Sequence, residues 1–259
     1  MKRRYLITFS IIISCFSFSF DFENNNYHKF IGYIGKSNVF EILFYANTDG
    51  SIVGQFATYS NITIIRKNFF GNIIQNNGIF EIEHSFNQKM TMEGLFGTSE
   101  KETFIGNLIE NSIKTPFNTY LTAIFPGSAE NMYLSACSLD PDVVDNFALK
   151  VKTLILSGNV NVLSELINYP ILVEIKKKKI EINSKNDFKI NFSNIFYKEF
   201  LFSIKKHCHP FFLLPSPQGL MFGKRGQLWF RCIKTDSNDF KLKITSINNS
   251  QSGSWNLDQ

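Results

Sequence analysis

The 259-residue sequence contains no Cys-x-x-Cys pair, no His-Glu-x-x-His, no Gly-x-Ser-x-Gly and no phosphate-cradling glycine loop. Thiol-redox, zinc-hydrolytic, serine-nucleophile and P-loop chemistry therefore have no signature in it. Charged residues make up only 19% of the chain, and seven prolines and fifteen glycines are too few for a linker-rich or collagen-like protein. The formal charge is +5, but it falls to +2 once Lys2, Arg3 and Arg4 at the extreme N-terminus are set aside, which excludes a nucleic-acid footprint. What the chain has in quantity is apolar material: 44% hydrophobic and 15% aromatic, enough for one large or two small packed domains. Its 28 phenylalanines and 27 asparagines, like its many isoleucines and lysines, are encoded by codons rich in A and T. Phenylalanine is accordingly read as core filling, and asparagine as turns and strand edges.

Residues 1–19 read as a signal peptide. A basic start, Lys2 to Arg4, precedes an apolar stretch from Leu6 to Phe16, and Ser17 and Ser19 supply the small side chains a signal peptidase accepts before Phe20. That apolar stretch is shorter than the roughly 20 residues needed to span a hydrocarbon core. The chain is thus expected to be exported, to the periplasm or beyond the cell. The alternative is a lipid-anchored envelope protein acylated at Cys15, since Ile12-Ile13-Ser14-Cys15 is a loose lipobox; a peripheral membrane association would follow. Export makes the remaining thiols, Cys137, Cys208 and Cys232, candidates for oxidation. The expected bridge is Cys208 to Cys232, within one predicted domain; the alternative is three buried thiols acting as small hydrophobes.

From Phe30 to Phe125 the pattern is one of short strands: FIGYIG, VFEILFYA, SIVGQFAT, ITIIR, GIFEIEHSF, MTMEGLFG, TFIGNLIE and TYLTAIF. Alternation such as Phe80 and Ile82 against Glu81 and Glu83 gives each sheet a buried and a wet face. Asp49-Gly50 and Asn77-Gly78 are expected as hairpin turns, and glycines inside strands as the devices that curl a sheet. This predicts an antiparallel meander or barrel over residues 30–125. The G-x-I-G start, the Asp49-Gly50 turn and the following x-V-x-G, carried by Gly32, Gly35, Asp49, Gly50 and Gly54, resemble a module of exported bacterial proteins. That resemblance implies a lipocalin-like or half-open β-barrel.

Residues 126–139, small and polar around Pro126-Gly127, are expected to be a linker. The period then becomes helical. Over Pro141 to Leu156 the apolar residues fall on one face, with Asp140 as N-cap and Gly158 as stop. A second short helix over Asn159 to Asn168 ends at Tyr169-Pro170. ILVEIKKKKIEI predicts two strands about a lysine turn, Asp187 to Lys206 a further helix, and the remainder late strands. The motifs Leu166-Ile167-Asn168-Tyr169-Pro170, Asp187-Phe188, Ile195-Phe196, Gly219-Leu220-Met221-Phe222-Gly223 and Leu228-Trp229-Phe230 resemble an exported bacterial domain of the nuclear transport factor 2-like superfamily. The resemblance implies an α+β cone, cystatin-like in class, over residues 140–248, with a flexible tail over 249–259.

Such cones hold a pocket between sheet and helices. Tyr169, Phe196, Trp229 and Asp187 are the candidates to line it, although Asp187 also suits a helix N-terminus and Phe196 and Trp229 also suit a core. His207-Cys208-His209 lacks a third or fourth ligand at a familiar spacing, so no metal and no cofactor are expected. The sequence therefore reads as an exported, noncatalytic binding or docking protein for an envelope component or a protein partner. The alternative is a small-molecule carrier or an enzyme that uses the cone pocket.

Overall fold

The computed structural model describes residues 26–60, 63–74, 76–83, 90–98, 102–126, 132–235 and 239–250. The proposed signal peptide, Cys15 and residues 251–259 lie outside them. Eight strands, β1 (Asn26–Ile34), β2 (Asn38–Ala46), β3 (Ser51–Ser60), β4 (Thr63–Ile74), β5 (Asn77–Ile82), β6 (Met90–Thr98), β7 (Glu102–Glu110) and β8 (Ile113–Pro126), pair in chain order, and β8 returns to β1 to close a barrel. The barrel is closed rather than half-open, because β1 is hydrogen-bonded along its length to both β2 and β8.

The barrel's inward positions are filled with phenyl rings. Phe30, Phe40, Phe44, Phe56, Phe69, Phe80, Phe96, Phe104 and Phe117 form one buried cluster with aliphatic neighbours. Phe96 stacks on Phe104 at 4.3 Å and Phe69 on Phe80 at 5.0 Å between ring centroids. The rings also explain a glycine that the sequence places in a turn. Asn76, at φ 71°, makes the β4–β5 turn, and Gly78 stands inside β5, where a Cβ would come within 2.8 to 3.0 Å of Phe96, Phe80 and Phe104. Asp49-Gly50 does turn the chain as expected, with Gly50 at φ 82° and the Asp49 carboxylate accepting from the Ser51 amide.

The second half comprises α1 (Pro141–Leu156), α2 (Val160–Glu165), β9 (Ile171–Ile175), β10 (Lys178–Ile182), α3 (Lys185–Ile195), α4 (Lys198–His207), β11 (Leu213–Ser216), β12 (Gly219–Phe222), β13 (Leu228–Lys234) and β14 (Phe240–Ile247). Asp140 caps α1 by accepting from the Asp142 amide, and Gly158, at φ 67°, lets the chain leave it. The helix expected over Asp187 to Lys206 is two helices, broken at Phe196 and Tyr197. Strands β11 to β14 form a four-stranded antiparallel sheet, and β9 and β10 form a separate hairpin turned by Lys176 and Lys177, both at positive φ. The side chain of Asn249 joins the hairpin to the rest: it accepts from the Glu174 amide and donates to the Glu174 and Ile195 carbonyls. Asn249 is therefore part of the packed structure, not the start of a flexible tail.

Two expectations fail where the halves meet. The described end of the proposed linker, residues 132–139, is embedded, because Met132, Tyr133 and Cys137 are buried in the main core with the helices and the late strands. Cys137, not Cys208, is bonded to Cys232, across 95 positions; Cys208 remains a buried thiol whose pKa burial pushes up to about 12. Three cysteine positions in a sequence carry no tertiary distance, and a linker over residues 126–139 would place Cys137 outside the domain that holds Cys232, whereas its burial in the shared core brings the two together. A loop of that length gives about 4.7 kcal/mol in the chain-entropy account. Replacing both partners, Cys137→Ser with Cys232→Ser, is expected to lower unfolding free energy by about 2 to 5 kcal/mol in urea titrations, whereas Cys208→Ala leaves the disulfide contribution intact.

Candidate functional site

The sequence puts Lys29 and Glu41 inside apolar stretches of β1 and β2. In a strand their neighbours Phe30, Phe40 and Ile42 take the barrel interior, so Lys29, Ile31, Glu41 and Leu43 must point outward. All four are buried, because the second half covers this part of the barrel wall. Leu43 joins the core of the helical half, and Ile31 and Ala57 pack on Phe211 and Phe212 of the short 3-10 turn after α4.

The polar members of this covered wall form a charge assembly. Lys29 Nζ lies 2.8 Å from Glu41 Oε2, and Arg66 on β4 donates to Glu41 Oε1 at 3.0 Å. The same guanidinium crosses to α1, donating from Nε to Asp142 Oδ1 at 2.7 Å and from Nη2 to Asp145. Tyr133 donates to the other oxygen of Asp145 at 2.5 Å. Glu41 and Asp145 are almost fully buried, and Asp142 is exposed. Burial works to raise the Glu41 pKa, but Lys29 and Arg66 hold it below the ordinary carboxylate value. Burial, with the nearby Glu41 charge, pushes Asp145 up despite Arg66. Every buried charge here faces an opposite one, which is the condition under which burial is tolerated.

Beside it, His209 is buried against Tyr59, with ring centroids 4.5 Å apart, and accepts from the Phe211 amide. Burial, with the Lys152 and Lys29 charges, lowers its pKa to about 3, and burial lowers that of His28, inside the barrel, to about 4. Cys208 follows α4 with its thiol 3.9 Å from the Phe222 carbonyl, and His207 is half-buried. Among the described residues no three His, Cys, Asp or Glu side chains stand within reach of one metal ion, and no helix is long and apolar enough to cross a membrane.

The four residues expected to line one pocket do not converge. Phe196 is buried among Phe188, Phe192 and Phe200. Tyr169 donates to the Ser164 carbonyl at 3.1 Å, and burial, with Glu165 and Asp187 nearby, raises its pKa to about 12. Asp187 lies in the first turn of α3, whose N-cap is Ser184. Trp229 stands on the other side of the sheet from the buried Leu228 and Phe230. There it lines an open recess of about 280 Å³ with Gln218, Arg231, Thr245 and Ser246. Of the four, only Trp229 borders that recess; Arg231 joins it from two positions along β13, and the other partners come from β14 and the β11–β12 turn, which the linear spacing does not bring together.

The charge assembly was also missed, although a trace of it was visible: Asp145 and Lys152 interrupt the buried face of α1, and Lys29 and Glu41 interrupt apolar strands. Arg66→Met would leave two buried carboxylates short of a cation and is expected to cost about 3 to 5 kcal/mol in urea unfolding. The two buried histidines contribute to the loss of stability in acid. Their folded pKa values lie below the unfolded value, so the stability tied to their neutrality is complete above about pH 6.5 and is lost as pH falls toward 4 and 3. His209→Phe is expected to flatten the slope of unfolding free energy between pH 5.5 and 4.5 by about 1.4 kcal/mol per pH unit. No protein-family model, curated protein or solved structure matches this chain.

Proposed function

We propose that this is an exported, noncatalytic binding protein in which the barrel is a rigid scaffold and the C-terminal half presents the binding surface. The observation that carries this reading is the contrast between the two kinds of polar group in the molecule. The strongly shifted ionisable groups are committed inward, to the charge assembly or to apolar surroundings. The open recess, in contrast, is lined by an indole, a guanidinium, an amide and two hydroxyls, groups that hold a ligand without an acid–base or nucleophile–base pair among them.

The filled barrel supports a scaffold role, because nine phenylalanines occupy the space where a lipocalin would keep its ligand. Export is supported by the Cys137–Cys232 bond, since disulfides persist in oxidising compartments. We further propose that the C-terminal half is a cone of the nuclear transport factor 2-like kind. The order helix, helix, hairpin, helices and antiparallel sheet supports it, as does the packing of α1 and α4 on the inner face of that sheet through Phe147, Phe200 and Phe230.

Native and intact mass spectrometry of protein recovered from its own host tests this reading. The expected result is a chain beginning at Phe20, two hydrogens lighter than the fully reduced form, carrying a stoichiometric component that is released chemically unchanged. A chain that keeps residues 1–19 and carries nothing would overturn it. A start at an acylated Cys15 would replace the soluble form with the lipid-anchored one, and conversion of the component on incubation would replace binding with catalysis.

A further inference from the structure

The recess on the outer face of the β11–β14 sheet is a flat ring edged by polar groups; its two hydroxyls donate within the protein, Thr245 to the Trp229 carbonyl and Ser246 to Asn248 Oδ1, and so present lone pairs to a ligand. Trp229 and Arg231 stand two residues apart on β13 and so share the face opposite Phe230. Gly226 lies against the indole edge, where a Cβ would come within 2.9 Å of Nε1; its absence keeps that edge clear. Among the described residues the indole N–H meets no acceptor. Among the described residues Arg231 donates only from its Nε, to the Gln218 carbonyl at 2.6 Å, and its two terminal amino groups face no carboxylate there.

Two features of β14 point the same way. Lys243 is the cross-ladder partner of Arg231, and like charges placed opposite each other destabilise a sheet. The Lys243 ammonium is turned to the Glu165 carbonyl at 2.6 Å, which leaves the guanidinium as the cation over the recess. A bulge follows: Trp229 pairs with Ser246 and Phe230 with Ile244, so Thr245 is the extra residue, and both hydroxyls come to border the ring. The recess thus offers an aromatic platform, a forked cation, an amide and two hydroxyls, and among the described residues no anionic group lines it.

We propose that this recess binds a carboxylated pyranose sugar, its ring laid on the Trp229 indole, its carboxylate on Arg231 and its hydroxyls on Gln218, Thr245 and Ser246. An apolar ligand would leave the guanidinium and the indole N–H unmatched, and a small inorganic anion would leave the indole unused. A volume of about 280 Å³ lies at the small end for ligand sites and suits a single ring with its substituents better than a nucleoside phosphate. The inference rests on the binding reading above and names the ligand class for it.

The test is a titration of the ¹⁵N-indole resonance of Trp229 in a Trp255→Phe background, which leaves one tryptophan in the chain. The probes are N-acetylmuramic acid and galacturonic acid, set against N-acetylglucosamine, galactose, sodium acetate and adenosine monophosphate. The carboxylated sugars are expected to shift the resonance saturably and to bind at least tenfold more tightly than their uncharged counterparts. Arg231→Gln is expected to reduce that preference to less than threefold, and Trp229→Ala to abolish the calorimetric signal. Arg231 is exposed, so its variant keeps the test decisive even if Trp229→Ala disturbs β13. Equal binding of uncharged sugars, an equal shift with acetate alone, tighter binding of adenosine monophosphate, or no shift with any probe would each overturn the proposal. If the probes fail while host-derived protein still carries a bound component, this inference falls and the binding reading stands. If the carboxylated sugars bind as expected but the host-derived component is chemically converted, the site stands and the noncatalytic reading falls.

Discussion

Glu41 is a carboxylate on the outside of a barrel with no water to face. Its two oxygens are engaged by Lys29 and Arg66, and the same guanidinium reaches α1 at Asp142 and Asp145. This arrangement fixes how the two halves of the chain sit. The row Glu41, Ala57 and Arg66 crosses three neighbouring strands, so the barrel register sets the spacing of the charges that α1 must meet. Apolar contact alone would tolerate sliding of α1 over the wall, but a buried carboxylate does not tolerate the loss of its cation. Tyr133 extends the constraint into residues 132–139 ahead of α1, which are held to the core through it and its buried neighbours Met132 and Cys137.

The barrel itself solves a different problem. Closing eight strands leaves an interior wide enough for side chains or one small ligand. Here stacked phenyl rings occupy it, and Gly78 makes room for three of them. The covered and uncovered parts of the wall then differ in pattern: β5, facing water, alternates, whereas β1 and β2 run buried through successive residues because both of their faces are enclosed.

These patterns explain what was legible. The eight strands were readable because alternation and turn residues are local, and the Asp140 cap and Gly158 stop of α1 were readable for the same reason. The Asn77-Gly78 turn was misplaced by a residue or two because Gly78 is required by ring packing within the barrel, not by the turn. The Cys137–Cys232 bond, the charge assembly and the neighbours of Trp229 depend on contacts between distant segments, which a single sequence does not encode. The interruptions of apolar runs by Lys29, Glu41 and Asp145 were the one local sign that those positions had partners. The cone pocket expected around Trp229, like the core packing that was its alternative, lies on the other side of the sheet, since alternation along β13 sends Phe230 inward and the indole outward to the open recess.

The disulfide also changes how the molecule would carry mechanical load. Tension applied between the barrel and a point beyond β14 would pass from β8 to Cys137, across the sulfur–sulfur bond to Cys232, and out through β14. The helices α1 to α4, the β9–β10 hairpin and strands β11 and β12 lie in the covalent loop that this route bypasses. An oxidised molecule under stretch would therefore extend only at its margins, with the chain between the two cysteines shielded from extension until the bond is reduced.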